Sequence, residues 1–124
     1  MDIKDFDDLI SMGHMTKTVS IGSHVFALKT LSSGEYVSMT KKFPDNSPMT
    51  EAEKFEAMQR LTLAHAIESI DGKSLSVEEK DRLLSLLQLA VSNMLYNEYM
   101  DLVADQSKKL EDAKKNSLAG ATSN

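Results

Sequence analysis

Three histidines, an acidic cluster near the start and one pair of adjacent glutamates are the side chains here with reactive chemistry, and their spacing does not converge on a reaction. His14, His24 and His65 fall in three different predicted elements, and none has a second histidine at the one-turn spacing of a helical metal pair. His65 lies in the apolar stretch Leu63-Ala64-His65-Ala66-Ile67, where a partly buried, hydrogen-bonded imidazole fits better than a metal ligand or general base. Its best partner for acid–base work is Glu68, and that pair alone lacks the convergent groups a site requires. Asp5, Asp7 and Asp8 have the composition of a calcium loop but lack its central glycine and its closing bidentate glutamate. Glu78 and Glu79 project from different parts of a helix turn, and the positive end of a helix dipole explains them better than paired acid–base chemistry.

The absence of cysteine removes disulfides, thiolate nucleophiles and Cys-ligated zinc. There is no glycine-rich phosphate loop and no Gly-x-Ser-x-Gly elbow. The sequence therefore reads as a non-enzymatic protein with no cofactor and no metal. With 14 basic against 19 acidic residues the formal charge is −5, which opposes a broad phosphate-binding surface and hence nucleic acid as a partner. The local pairs Lys41-Lys42, Lys108-Lys109 and Lys114-Lys115 fit helix-end cations and a solvated, charge-mixed face. No apolar run approaches the ~20 residues of a membrane span. The acidic start, Met1-Asp2-Ile3-Lys4-Asp5, is unlike the basic start of a secretory signal, so the expected location is the cytoplasm.

A chain of 124 residues suits one core, and the elements that would build it are mainly helical with one β piece, an α+β arrangement. Residues 1–15 read as an N-terminal docking helix, 16–105 as a single domain of hairpin plus helical bundle, and 106–124 as a helix end with a flexible tail. Ile3, Phe6, Leu9 and Ile10 recur at helical spacing over roughly 2–12, and Gly13 is placed to stop that helix. From Thr18 the period becomes two. Val19 and Ile21, then Phe26 and Leu28, form the apolar face of a hairpin turning at Gly22-Ser23, a face that must pack on helices or join another chain's sheet.

Ser32-x-x-Glu35 is a capping box for a helix carrying Tyr36, Val37 and Met39 that ends by Pro44, before the polar loop Asp45-Asn46-Ser47-Pro48. Thr50 and Glu53 cap a helix whose stripe runs from Phe55 through Met58, Leu61 and Ala64 to Ile67, widened by Ala57, Leu63 and Ala66. An Asp71-Gly72 corner follows, flanked by Ile70 and Leu75. Ser76 and Glu79 then open the longest helical pattern. Its nearly continuous apolar run from Leu83 to Val91 belongs in the middle of a bundle or at an oligomer interface. Met94, Tyr96, Tyr99, Met100 and Val103 continue it, and their types suit either core packing or an adaptable contact surface.

Three stretches carry a resemblance. Val19-x-Ile21-Gly22, Phe26-x-Leu28-Lys29-Thr30-Leu31-Ser32-Ser33-Gly34-Glu35-Tyr36 and the later Ala66-Ile67-Glu68-Ser69-Ile70-Asp71-Gly72 corner resemble the small tail-assembly chaperone and baseplate-hub proteins of tailed bacteriophages. The resemblance spans roughly Thr18 to Val103 and implies a non-enzymatic assembly protein made in the host cytoplasm. Such a protein binds hub or tape-measure-type tail proteins, either as a released chaperone or as a minor subunit retained in the virion tail or baseplate. The residues expected to meet partners are Phe6, Leu9 and Ile10 of the first helix, Val19, Ile21 and Phe26 of the hairpin, and Tyr96, Tyr99 and Met100 of the last helix. Self-association through the same surfaces is a further expectation, and a general helical adaptor that binds a partner peptide is the alternative reading.

Overall fold

The sheet forms where the period of two predicts it and then acquires one strand more than expected. The computed structural model describes residues 2–42 and 48–122, with side chains described as far as 115. Strands β1 (Thr16–Ile21) and β2 (His24–Lys29) pair as an antiparallel hairpin. Gly22, at φ +61°, takes the first of its two loop positions, which a residue with a Cβ would occupy only under strain. Phe26 and Leu28 are buried beneath the sheet, and Val19 and Ile21 pack beside them. The mainly α architecture with one antiparallel sheet is thus as expected.

The extra strand, β3 (Ile67–Ile70), pairs antiparallel with the other side of β2, giving the order β1-β2-β3. It corrects the expectation that the preceding helix runs on into the corner. The apolar stripe does reach Ile67, but that residue is already extended at φ −76°, ψ 110°. The open side of β2 offers unpaired backbone groups, and Ile67-Glu68-Ser69-Ile70, β-branched at both ends, satisfies them with Phe26 opposite Ile70 and Leu28 opposite Ile67. Asp71 and Gly72, both at positive φ, close the turn while Ile70 and Lys73 exchange backbone bonds of 3.0 and 2.9 Å. The Asp71 conformation is held from both sides, since its amide donates to the Val25 carbonyl and its carboxylate accepts from the Val25 amide.

Helices α2 (Ser33–Thr40), α3 (Glu51–Ala66) and α4 (Val77–Leu86) each begin at the capping box read from the sequence, Ser32 with Glu35, Thr50 with Glu53 and Ser76 with Glu79. Each box satisfies two backbone amides that a helix start would leave unpaired. Phe43, the Pro44 stop and the Asp45-Asn46-Ser47 loop lie outside the described residues. Ala57, Leu63, Ala64 and Ala66 of the expected α3 stripe are buried, joined by Gln59 and Thr62, whereas Phe55 is 66% exposed. Gln59 donates to Asn93 at 2.8 Å, and Arg60 reaches Asp81 on α4 at 2.9 Å, so polar groups on α3 also tie it to its neighbours.

A single long helix from Ser76 is not formed. The chain breaks at Leu87, which is extended, and restarts as α5 (Leu89–Thr122), where the Gln88 carbonyl accepts the amides of Val91 and Ser92. The break divides the Leu83 to Val91 run between two directions: Leu84 is buried and Leu87 packs on the core, while Leu86 is 74% exposed and Leu89 is exposed as well. That run is therefore not enclosed on all sides in the monomer. Leu95 and Leu102 seat α5 on the core, and the helix continues through 106–122, where the sequence reading places its end and a flexible tail.

The N-terminal segment is likewise no single helix over 2–12. A 3-10 turn at Ile3–Phe6 gives way to one α turn, α1 (Asp7–Ile10), and none of these residues is buried. A helix so short needs a packed face to persist, and this one has none. Gly13 ends it at φ +83°, and Gln106 donates to the Gly13 carbonyl at 2.9 Å, which anchors the arm to α5.

Candidate functional site

An apolar groove lies between α2 and α5. A cleft of about 370 Å³ lies among Leu31, Tyr36, Val37, Tyr99 and Val103, with Ser32, Ser33 and Gln106 at its edge. A second depression of about 300 Å³ shares Leu31, Tyr36, Tyr99 and Val103 and extends the groove over Met39, Met58, Thr62, Tyr96 and Met100. Beyond Leu31 and Ser32 a smaller hollow of about 140 Å³ reaches Ile10 and Met12, so the N-terminal arm forms one end of the same surface.

Local chemistry fixes the groove's walls. The Ser32 hydroxyl accepts the Glu35 amide at 3.2 Å, Glu35 accepts the Ser32 amide at 3.0 Å, and the other Glu35 oxygen pairs with Lys29. This clamps the start of α2 to the end of β2 and sets Tyr36 and Val37 over the groove. Burial pushes the Glu35 carboxyl up, but Lys29 and the Ser32 amide outweigh it and leave it below the usual glutamate range. Met39 is buried one turn later, with the Thr62 hydroxyl 3.2 Å from its sulfur. Tyr99 forms the floor at 8% exposure, and burial raises its pKa, so the phenol stays neutral. Tyr36, at 56% exposure, and Val37 have no such cover.

Of the residues expected to meet partners, the groove gathers Ile10, Tyr96, Tyr99 and Met100. Phe6 and Leu9 are exposed on the arm but outside the groove lining. The three hairpin residues lie against the core. Phe26 is 6% exposed, and Val19 and Ile21 lie half-buried against the core, because the apolar face of the hairpin is the one the helices cover. The site also includes Leu31, Tyr36, Val37 and Met58, which the sequence reading did not assign to it. The available signal was Tyr36-Val37 beside a capping box whose helix is too short to bury more than one face.

At the opposite end of the sheet a cavity of about 270 Å³ is lined by Phe26, Ile70, Leu75, Leu83 and Leu87, with His24, Asp71 and Lys73 around it. His24 Nδ1 lies 2.6 Å from Asp71, and this bond, together with the Val25 amide, holds the Asp71 carboxyl below its ordinary value. His65 differs from expectation: its buried Nε2 makes no hydrogen bond among the described residues, and burial lowers its pKa, favouring the neutral ring. Lys80 is buried and donates to the Ile67 carbonyl at 2.6 Å, with burial again lowering its pKa. That lysine anchors α4 to β3. Among the described residues no cluster of His, Asp or Glu is arranged to hold a metal, and no helix is long and apolar enough to cross a membrane. Comparison with protein-family models, curated proteins and solved structures finds no match.

Proposed function

We propose that this chain is a non-enzymatic assembly protein of tailed bacteriophages whose α2–α5 groove holds an apolar segment of a hub or tape-measure-type tail protein. The observation that carries the reading is the coincidence of motif and groove. Thr30-Leu31-Ser32-Ser33-Gly34-Glu35-Tyr36, part of one of the stretches that carry the resemblance, supplies one wall of the groove through Leu31, Ser32, Ser33 and Tyr36. The opposite wall offers Met100, Tyr96 and Val103, side chains that combine large contact area with easy repacking. The host cytoplasm is the setting this reading assigns to assembly.

An affinity-tagged chain expressed during infection is expected to copurify a tail protein, and a Tyr36→Asp, Val37→Asp double variant is expected to lose it. Both side chains are exposed, so each change should alter stability by no more than about 0.5 kcal/mol. Recovery of no tail protein by the wild-type chain would refute the phage reading, and equal recovery by the variant would refute the groove. Mass spectrometry of purified particles then separates a retained subunit from a released chaperone.

A further inference from the structure

The two edges of the sheet are not treated alike. The β3 edge is only four residues long, closed at one end by the Asp71-Gly72 turn and adjoined at the other by Lys80, bonded to the Ile67 carbonyl. The β1 edge is six residues long, and among the described residues no strand pairs with its outer side. Which of its backbone groups are free follows from the register. Ile21 sits opposite His24 across a two-residue loop, which makes that pair hydrogen-bonded, and every second pair along the ladder follows suit. The flanking bonds agree: Thr30 donates to the Met15 carbonyl, and Val25 turns both its amide and its carbonyl away from β1 towards Asp71. Ile21, Val19 and Lys17 therefore bond to β2, and the N–H and C=O groups of Thr16, Thr18 and Ser20 point outward.

Sheet edges of this length are normally guarded by proline, a bulge or an outward lysine, because an open ladder recruits another strand. Thr16-Lys17-Thr18-Val19-Ser20-Ile21 has no proline, its lysine is drawn to α5 rather than left outward, and the irregularity in the sheet lies between Ala27 and Leu28, away from this edge. Its single charge, Lys17, is engaged by Glu98 of α5, and Asp101 and Asp105 also act on the Lys17 ammonium. Glu98, Asp101 and Asp105 lie one helical turn apart along one face of α5, so three carboxylates accompany one lysine beside the open edge.

We propose that the β1 edge is a strand-addition site for an extended segment of a partner protein carrying lysine or arginine at alternate positions on the α5 side. Backbone bonds to Thr16, Thr18 and Ser20 would supply the affinity, and the carboxylate row would select the basic face. A second copy of this chain is the poorer occupant. Antiparallel β1–β1 pairing about a two-fold axis would set two such rows side by side, six carboxylates with two lysines between them. The site is separate from the α2–α5 groove and stands or falls independently of it.

The test uses a capped peptide of alternating valine and lysine, matched to β1 in length, and its counterpart with glutamate for lysine. Amide hydrogen exchange of the full chain is read residue by residue with and without each peptide. The lysine peptide is expected to slow exchange at Thr16, Thr18 and Ser20 while Lys17, Val19 and Ile21 keep their existing protection, and the glutamate peptide should leave all six unchanged. Thr18→Pro, which removes only an outward amide, should abolish the new protection while protection at Val19 shows that the hairpin persists. Asp101→Asn with Asp105→Asn should weaken the lysine peptide about fivefold, as expected for two exposed charge contacts. No protection by the lysine peptide, equal protection by both peptides, or protection of the three amides that grows with protein concentration alone would each overturn the proposal.

Discussion

Replacing Gly13 by alanine should destabilise the fold by about 1–2 kcal/mol, although the residue is on no recognised interface. Gly13 sits at φ +83°, where a residue with a Cβ carries a backbone penalty of about 1–2 kcal/mol. A Cβ built there would also stand 3.2 Å from Leu110 Cδ2 and 3.3 Å from Cδ1, closer than a comfortable contact. The two contributions separate cleanly. Leu110 is exposed near the far part of α5, so its end can rotate away, and the contact should cost under about 0.5 kcal/mol. The backbone term has no such relief, because the Gln106 bond to the Gly13 carbonyl holds the peptide in place. Urea unfolding of the wild type, Gly13→Ala, Leu110→Ala and the double variant closes a thermodynamic cycle. A large loss with coupling below about 0.5 kcal/mol is expected, and Gly13→Asn should recover part of it because asparagine tolerates positive φ. A neutral or stabilising Gly13→Ala would refute the reasoning, showing that the arm leaves α5 without cost to the fold.

Two further outcomes follow from burial and charge. Leu95→Ala, fully buried on α5, should cost about 2–5 kcal/mol in urea unfolding, whereas Leu86→Ala at the exposed break between α4 and α5 should cost no more than about 0.5 kcal/mol. Asp71, Glu35 and Glu79 have folded pKa values below their ordinary 3.8, 4.5 and 4.5, so their stabilisation is complete above about pH 4.5 and is lost as pH falls through the lower folded values. Unfolding midpoints measured across that window should fall with acid, and Asp71→Asn should flatten part of the decline.

What the sequence made legible were signals that act locally. All three capping boxes form because Ser32, Thr50 and Ser76 each satisfy amides within their own first turn, whatever packs nearby. Gly13, Gly22 and Gly72 mark positive φ, a property of single residues. The failures share the opposite character. Ile67 to Ile70 continues a helical stripe in sequence, and only the open side of β2, some forty residues earlier, makes extension the better state. The Leu83 to Val91 run looked like one enclosed helix because periodicity cannot show that the chain turns at Leu87. The groove was half legible for the same reason. Tyr96, Tyr99 and Met100 announce themselves by type, while Tyr36 and Val37 matter only because the Glu35 bond to Lys29 turns their helix against α5.

Helix α5 contributes residues to all three candidate surfaces. Tyr96, Tyr99, Met100 and Val103 line the groove, Glu98, Asp101 and Asp105 lie beside the β1 edge, and Gln106 with Leu110 holds the N-terminal arm at Gly13. Gln106 lines the groove as well as holding the arm, so those two sets share one face of α5, while the carboxylates lie on another; the seat on the core is made by Leu95, Tyr99 and Leu102. A rotation of α5 about its axis would therefore move a groove wall, the carboxylate row and the arm together, and a ligand that favours one rotation at the groove would necessarily bias the other two. If groove binding and strand addition at β1 both bias that rotation, the same helix would link them even though their chemistry is unrelated. Reciprocal shifts in the two affinities would reveal that link, whereas strictly additive binding would show that α5 is held too firmly by its core contacts to transmit anything.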